Sequence, residues 1–103
     1  MTEMLTHPTR DELELSAVLH ALSDPVRLKM VRHLESGEQS CGSLDVPVTK
    51  STCTHHFKVL REAGVIQQRQ DGRSRLNALR SEDLDARFPG VLDAILEAAE
   101  VRA

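Results

Sequence analysis

The chain has 103 residues, of which 40% are hydrophobic and 28% charged, and its formal net charge is −3. These values are typical of a soluble globular protein with one domain and a modest core. There is no Trp or Tyr and only two Phe, which excludes an aromatic platform for stacking single-stranded bases. No apolar run could span a bilayer and no signal-peptide pattern is present, so we expect a cytoplasmic protein with reduced cysteines.

Capping and chain-breaking residues divide the first half of the chain into helices. Residues 1–10 are predicted to be a flexible arm. Asp24 is a good N-cap, Pro25 suits the first helical position, and Gly37 suits a helix end. Apolar residues at helical spacing then predict three helices. They cover Asp11–Leu22, Pro25 to about Ser36, and a very short segment, Cys41–Asp45.

A fourth helix, Thr49 to Ala63, has two different faces. Its first residue can cap it through the hydroxyl, and Gly64 ends it. The apolar side comprises Cys53, Phe57, Leu60 and Ala63, and the opposite side, lined by hydrogen-bond donors, comprises Lys50, Ser51, Thr54, His55 and Lys58. Such a helix after a helix and a tight turn is typical of a recognition helix that enters the DNA major groove.

A β-hairpin is predicted after this helix. A strand begins at Val65, Asp71-Gly72 is a strong turn signal, and a return strand runs from Arg73 to about Leu79. Three arginines are predicted to cluster at the hairpin tip: Arg69, Arg73 and Arg75. A turn does not require them, so contact with DNA phosphates or the minor groove explains them better than a merely solvated surface.

The charge is unevenly distributed along the chain. Residues 50–80 hold seven Lys or Arg against one Glu and one Asp, a net charge of +5. The rest of the chain therefore carries −8, which gives the total of −3. A molecule with one basic face and an acidic back is suited to a polyanion that binds on one side only.

A last helix is predicted over Pro89–Val101. Its apolar stripe consists of Val91, Leu92, Ile95, Leu96 and Ala99. The stripe could pack on the core, or it could pair with its copy across a two-fold axis together with the helix Asp11–Leu22. We favour the dimer, because one recognition helix reads few base pairs and a dimer addresses two half-sites about one helical turn apart.

The stretch ALSDPVRLKMVRHL, followed by KSTCTHHFKVLREAGVI and a QDGR hairpin, resembles the arsenic-repressor (ArsR/SmtB-type) family of bacterial winged-helix transcription regulators. The likeness extends over nearly the whole chain. It implies a mainly α-helical winged helix-turn-helix fold with a small β-hairpin, in the order α-α-α-α-β-β-α, within one DNA-binding and dimerisation domain over residues 11–103. It also implies a homodimeric repressor that an inducing ligand releases from its operator. In this family the positions matching Lys50, Ser51, Thr54 and His55 face the major groove.

The metal sites of the family do not carry over to this sequence. Its arsenic and cadmium type has a Cys-Val-Cys-Asp-Leu element, and the matching stretch here is Ser40-Cys41-Gly42-Ser43-Leu44, which lacks both ligand positions. The zinc type needs histidines on the last helix, and Pro89–Val101 has none. We therefore predict no metal site and no cofactor.

Cys41 and Cys53 are twelve residues apart, too far for a zinc-knuckle pair. The simplest interpretation is two small buried hydrophobic residues. The alternative is that the thiols meet between the third and fourth predicted helices, where a disulfide or a soft metal would shift the recognition helix and release DNA. Cys53 and His56 are a weak nucleophile pair because no acid orients them, so no catalytic residue is predicted. We expect His56 to make a structural hydrogen bond.

Together these patterns predict a sequence-specific, non-enzymatic transcription regulator, a homodimeric repressor of a double-stranded DNA operator. The sequence does not distinguish among three kinds of inducer: a metal, a thiol-reactive compound or another small molecule. Two alternatives are a winged-helix module that binds proteins through its apolar surfaces and a constitutive DNA-binding repressor without a ligand. Salt-sensitive binding to mixed duplex DNA separates the first alternative from DNA binding.

Overall fold

The computed structural model describes residues 2–44 and 46–101, and it confirms a winged helix-turn-helix fold that is mainly α-helical. Two 3-10 turns accompany five helices and three strands within these residues. In chain order the elements are β1 (Thr2–Met4), a 3-10 turn (Arg10–Glu12), α1 (Leu15–Ala21), α2 (Pro25–Leu34), a 3-10 turn (Cys41–Ser43), α3 (Lys50–Glu62), β2 (Ile66–Asp71), β3 (Ser74–Leu79), α4 (Ser81–Arg87) and α5 (Val91–Val101). None of the helices in this part of the chain is long and apolar enough to cross a membrane.

One hydrophobic core lies beneath the helix-turn-helix. Met30 and Val31 of α2 and Phe57 and Leu60 of α3 are buried, and α3 packs against α1, α2 and β2. Burying apolar side chains of this size stabilises a fold by about 1.5–3 kcal/mol each. Because the apolar face of α3 is fixed inward, its opposite face is left to solvent.

The start of α2 is fixed by local hydrogen bonds, as predicted. Asp24 Oδ2 accepts the backbone N–H groups of Val26 and Arg27 at 2.9 and 3.0 Å, and Pro25 occupies the first turn. These hydrogen bonds, with that from Arg27 as the largest cause, lower the pKa of Asp24. The carboxylate of Asp24 therefore caps α2 at the turn that follows α1.

Several predicted helix ends differ from those observed. The helix predicted from Asp11 begins at Leu15, because Arg10–Glu12 form a separate 3-10 turn and Leu13 after it is extended and buried. The other differences are that α2 ends at Leu34, that α5 begins at Val91, and that Cys41–Ser43 form a 3-10 turn in place of the predicted Cys41–Asp45 helix. Asp45 lies outside the described residues.

The helix α4 is not predicted by the sequence. It buries only Leu84 among its residues, so its apolar pattern is weak. Two ion pairs hold it instead, one distant and one local: Arg10 Nε contacts Asp83 Oδ1 at 2.7 Å, and Arg80 Nη2, three residues before Asp83, contacts Oδ2 at 2.9 Å. The hydrogen bond from Arg10 is the largest cause that lowers the pKa of Asp83. Since Arg10 and Asp83 are 73 residues apart, no local pattern reveals the helix.

The prediction of a flexible arm over residues 1–10 is wrong for the described part of that segment. Thr2–Met4 form β1, which pairs antiparallel with β2 and gives the sheet order β1-β2-β3. Leu5 N–H donates to the carbonyl of Gln68 at 3.1 Å, and the N–H of Gln68 donates to His7 Nε2 at 2.8 Å. Burial lowers the pKa of His7, which favours the neutral ring that accepts this bond. The edge of β2 that β3 leaves unpaired offers backbone hydrogen bonds to residues 2–4, and the local composition of residues 1–10 cannot show such pairing.

We predict that Gly64→Ala destabilises the fold by about 2–4 kcal/mol, because backbone strain and a steric collision both apply. Gly64 has a φ of +82° after α3, and a Cβ there would collide with Leu13 Cδ2. The matched control is Gly72→Ala: its φ is +62° but nothing lies within 4 Å of the added Cβ. We expect only the backbone cost of about 1–2 kcal/mol there. Urea unfolding measures both losses, and equal losses would contradict the importance of the collision.

Candidate nucleic-acid interface

The exposed face of α3 carries the side chains that the sequence assigned to it. Thr49 Oγ1 accepts the N–H of Thr52 at 3.3 Å and caps the helix. Cys53, Phe57 and Leu60 are buried on the inner side. The five donor-bearing residues are all exposed: Lys50, Ser51, Thr54, His55 and Lys58. They form one continuous polar surface, and their contact with DNA stays a prediction.

Arg27 of α2 positions the middle of this helix. Its Nε donates to the carbonyl of Ala21 at 2.7 Å, and its Nη1 lies 3.3 Å from Nδ1 of His56. Burial is the largest cause that lowers the pKa of His56, so the neutral ring can accept from Arg27. His56 is therefore a structural hydrogen-bonding residue, as predicted, and its neighbour His55 is the exposed ring of the pair.

A series of hydrogen bonds fixes the β2–β3 hairpin, the wing, against the helix-turn-helix. Gln68 in β2 and Asn77 in β3 are buried, and Gln68 Nε2 donates to Asn77 Oδ1 at 2.6 Å. Arg61 Nη1 of α3 donates to Gln68 Oε1 at 2.9 Å. Asn77 Nδ2 donates to the carbonyl of Gln39, just ahead of the second 3-10 turn, at 3.1 Å. Hydrogen bonds thus attach the wing to α3 through Gln68 and to the segment before the second 3-10 turn through Asn77.

The prediction that three arginines cluster at the wing tip is wrong for Arg69. Gln70 pairs with Arg75 on the strand face that also carries Asn77, whereas Arg69 falls on the opposite face because side chains alternate along a strand. Arg69 Nε and Nη2 bind both carboxylate oxygens of Glu38, at 2.9 and 2.6 Å. This ion pair raises the pKa of Arg69, chiefly through the hydrogen bonds to Glu38. Arg69 therefore holds the wing to the segment between α2 and the second 3-10 turn.

The wing and the first turn of α3 form the two sides of one groove, with a volume of about 660 Å³. Lys50 and Thr54 lie on the α3 side, and Arg73 and Arg75 lie on the wing side. Apolar side chains and both cysteines also line the groove, beside further polar residues: Leu44, Val46, Val48, Phe57, Cys41 and Cys53. Two elements with exposed cations therefore flank one groove, on the same side of the molecule.

The cations of residues 50–80 divide into two groups. Arg61, Arg69 and Arg80 are engaged in the fold, through Gln68, Glu38 and Asp83 respectively. The exposed remainder of the basic block consists of Lys50, Lys58, Arg73 and Arg75. The candidate interface is thus less strongly charged than the sequence count suggests, but three of its four exposed cations, Lys50, Arg73 and Arg75, line the groove.

The two cysteines meet, as the second interpretation of the sequence required. The Cys53 thiol donates to Cys41 Sγ, and the sulfurs lie 2.7 Å apart. Cys53 is buried and Cys41 is half-buried. Burial, together with the hydrogen bond to Cys41, raises the pKa of Cys53. Its sulfur thus contacts a second thiol, while the His56 ring contacts Arg27, so the two do not form a nucleophile pair.

Sequence reasoning missed the residues that position this interface, namely Arg27, Gln39, Gln68 and Asn77. One signal was available. Leu76 and Leu79 do not alternate cleanly in the return strand, and the register places Asn77, rather than a leucine, opposite Gln68 on the buried face. Arg27 gives no such signal, because a basic residue in an amphipathic helix is normally solvated.

Comparison with known proteins gives consistent results. A family profile described as a helix-turn-helix domain matches residues 22–69. The chain is 33% identical to the uncharacterized HTH-type transcriptional regulator YceK of Bacillus subtilis, over 88% of this chain and 95% of that protein. It is 35% identical to the arsenical resistance operon repressor of Staphylococcus xylosus, over 70% of this chain and 71% of the relative.

A solved structure shares the fold along nearly its whole length. A possible transcriptional regulator for arsenical resistance superimposes with a TM-score of 0.64 at 30% identity, covering 87% of this chain and 98% of the other. The likeness, in sequence for the first two and in fold for the third, extends over more than two thirds of each of these proteins. The chain belongs to the ArsR family of winged helix-turn-helix transcriptional regulators.

Proposed function

We propose that this protein is a homodimeric transcriptional repressor that binds a duplex operator with α3 in the major groove and the wing on the phosphate backbone. The observation that carries the proposal is the groove with Lys50 and Thr54 on one side and Arg73 and Arg75 on the other. An inducer releases the protein from its operator in this proposal. Its site of action is the bacterial cytoplasm, and it has no catalytic role.

The chemistry of the α3 surface supports a division of labour. Ser51 and His55 are short or planar polar groups that suit hydrogen bonds to base edges, whereas Lys50 and Lys58 suit phosphates. The hydroxyl of Thr54 donates to the carbonyl of Lys50 at 3.0 Å, so its oxygen lone pairs are left to accept from a base amino group. The wing cations Arg73 and Arg75 would add contacts that do not depend on sequence.

Exposed leucines support a dimer. Leu15 and Leu19 lie one turn apart on α1, and 42% and 44% of their surfaces are exposed. On α5, Leu92 and Leu96 are buried in the core, while Val91 and Ile95 are only half-buried. We propose that α1 and α5 form the dimer interface, which would place two α3 helices for half-sites about one helical turn apart.

Selection of bound sequences from random duplex DNA would define the operator and test base contacts. We predict that Ser51→Ala and His55→Ala each weaken operator binding by about 1–3 kcal/mol, because each removes a base-edge hydrogen bond. Binding to unrelated duplex DNA should change little. Glu62→Ala is the control, because Glu62 is exposed on the last turn of the same helix. Equal losses on operator and unrelated DNA would contradict the assignment of base contacts.

We predict that Arg73→Ala weakens binding to all duplex sequences alike and lowers the salt slope of log K by about one unit, because one phosphate contact is lost. Arg69→Ala is the matched control in the same hairpin, since its guanidinium binds Glu38 on the other strand face. Its salt slope should stay near that of the wild type. The placement of the wing on DNA would be wrong if the two variants had the same slope.

The dimer proposal is tested by sedimentation velocity. We expect the wild type to be a dimer and the double variant Leu15→Glu/Leu19→Glu to be a folded monomer, because two carboxylates would be buried at the interface. The control is Met4→Glu, which changes a side chain 54% exposed on β1. A monomeric wild type, or a double variant that remains a dimer, would contradict the interface.

A further inference from the structure

Two thiols lie side by side in the wall of the groove between wing and recognition helix. Cys41, in the second 3-10 turn, is half-buried and lines the groove, and Cys53 lies behind it on the inner face of α3. The Cys53 thiol donates to Cys41 Sγ at a sulfur–sulfur distance of 2.7 Å. The pair therefore joins the second 3-10 turn to α3 at a point that small molecules in the groove can reach.

The spacing fits a disulfide better than a metal site. A disulfide bond is about 2.05 Å long, so the two sulfurs, now 2.7 Å apart, need to approach by only about 0.6–0.7 Å. A structural metal site needs three or four ligands, and no cluster of three His, Cys, Asp or Glu side chains occurs among the described side chains, those of residues 4–44 and 46–99. The chemistry that matches two adjacent thiols is their oxidation.

We propose that Cys41 and Cys53 form a reversible disulfide when a hydroperoxide enters the groove, and that this bond lowers the affinity of the repressor for DNA. The inference rests on the proposed function, because it names the signal that releases α3 from the operator. The disulfide itself is a separate chemical event that can be measured without DNA.

The reaction proceeds in two balanced steps. Cys41 Sγ attacks the terminal oxygen of the hydroperoxide; an S–O bond forms, the O–O bond breaks, and an alcohol leaves with the thiol proton. Cys41 is then a sulfenic acid, oxidised by two electrons. Cys53 Sγ attacks the Cys41 sulfur, the S–S bond forms as the S–O bond breaks, and water leaves with the Cys53 proton. One hydroperoxide and two thiols thus give one disulfide, one alcohol and one water.

Access favours Cys41 as the thiol that reacts first. Cys53 is only 2% exposed, and its burial raises its pKa, so it stays protonated and is a poor first nucleophile. Its thiol already contacts Cys41 Sγ, which is the atom it must attack in the second step. The half-buried residue therefore meets the oxidant, and the buried residue resolves the sulfenic acid.

The bond would act on DNA binding through the first turns of α3. Cys53 follows Lys50 by three residues and directly precedes Thr54. Lys50 and Thr54 line the α3 side of the groove. Closing the disulfide draws this part of the helix towards the 3-10 turn by a distance comparable to the tolerance of about 0.5 Å within which a binding site must be held. Hydrogen bonds to base edges are therefore lost, whereas the overall fold is retained.

The test compares reduced and oxidised protein. The full chain is treated with stoichiometric hydrogen peroxide without DNA, and intact mass and a Cys41–Cys53 cross-linked peptide report the disulfide. We expect a loss of two hydrogens per chain, a rise in Tm of about 10–20 °C because a loop is closed, and reversal by dithiothreitol. Operator affinity, measured by fluorescence anisotropy, should fall about tenfold and recover on reduction.

Cys41→Ser provides the matched control, because it removes the exposed thiol and leaves the buried core residue in place. Reduced Cys41→Ser should bind DNA like the reduced wild type, and peroxide should not change its affinity. Cys53→Ala should trap the Cys41 sulfenic acid, which a dimedone adduct detects. If Cys53→Ala fails to fold, the Cys41→Ser comparison alone decides.

Two results would overturn the inference: absence of the intramolecular disulfide after peroxide treatment, or oxidised wild type that binds the operator as tightly as reduced protein or more tightly. Failure of the proposed function is a different result. It would appear as an absence of salt-sensitive duplex binding by the reduced protein, before any oxidant is added.

Discussion

The geometry of the interface depends on one buried amide pair. Gln68 and Asn77 bond to each other across the wing, and each also bonds outward, Gln68 to Arg61 on α3 and Asn77 to the carbonyl of Gln39. Buried polar groups are costly when they lack partners, so a pair with partners on both sides permits few alternative arrangements. The width of the groove between the wing and α3 is set by this network, and the exposed side chains on its two sides are placed relative to each other through it.

The basic charge of the chain serves two purposes that a count of residues cannot separate. Part of it forms ion pairs within the protein: Arg69 binds Glu38, and Arg80 binds Asp83. The Arg69–Glu38 pair attaches the wing to the segment after α2, and the Arg80–Asp83 pair joins the end of the wing to the first turn of α4. Most of the exposed part, namely Lys50, Arg73 and Arg75, lines the groove, so a protein with a net charge of −3 can present a cationic surface on one side. Its acidic remainder would be repelled by DNA and would help to orient the approach.

Local signals made α3 predictable from the sequence. The elements that the sequence did not predict, β1 and α4, depend on contacts between residues that are far apart in the chain. The cap at Thr49, the apolar spacing of α3 and the stop at Gly64 all lie within one short segment, so the sequence predicts the helix and its exposed face. β1 depends on an open strand edge more than 60 residues away, and α4 depends on Arg10. The strand face of Arg69 depends on the hairpin register. The two cysteines could be assigned as core or as a pair from the sequence, and only the distance between their sulfurs distinguishes these interpretations.

The pairing of β1 has a practical consequence for how the protein is handled. Thr2 lies opposite Asp71, next to the glycine at the wing tip, so whatever is joined ahead of it emerges beside the surface proposed to meet the duplex. A polyhistidine tag at that end would add titratable cations to this surface and distort salt titrations, and an acidic epitope tag would repel phosphate. Affinity handles for binding studies are therefore better cleaved from that end before measurement.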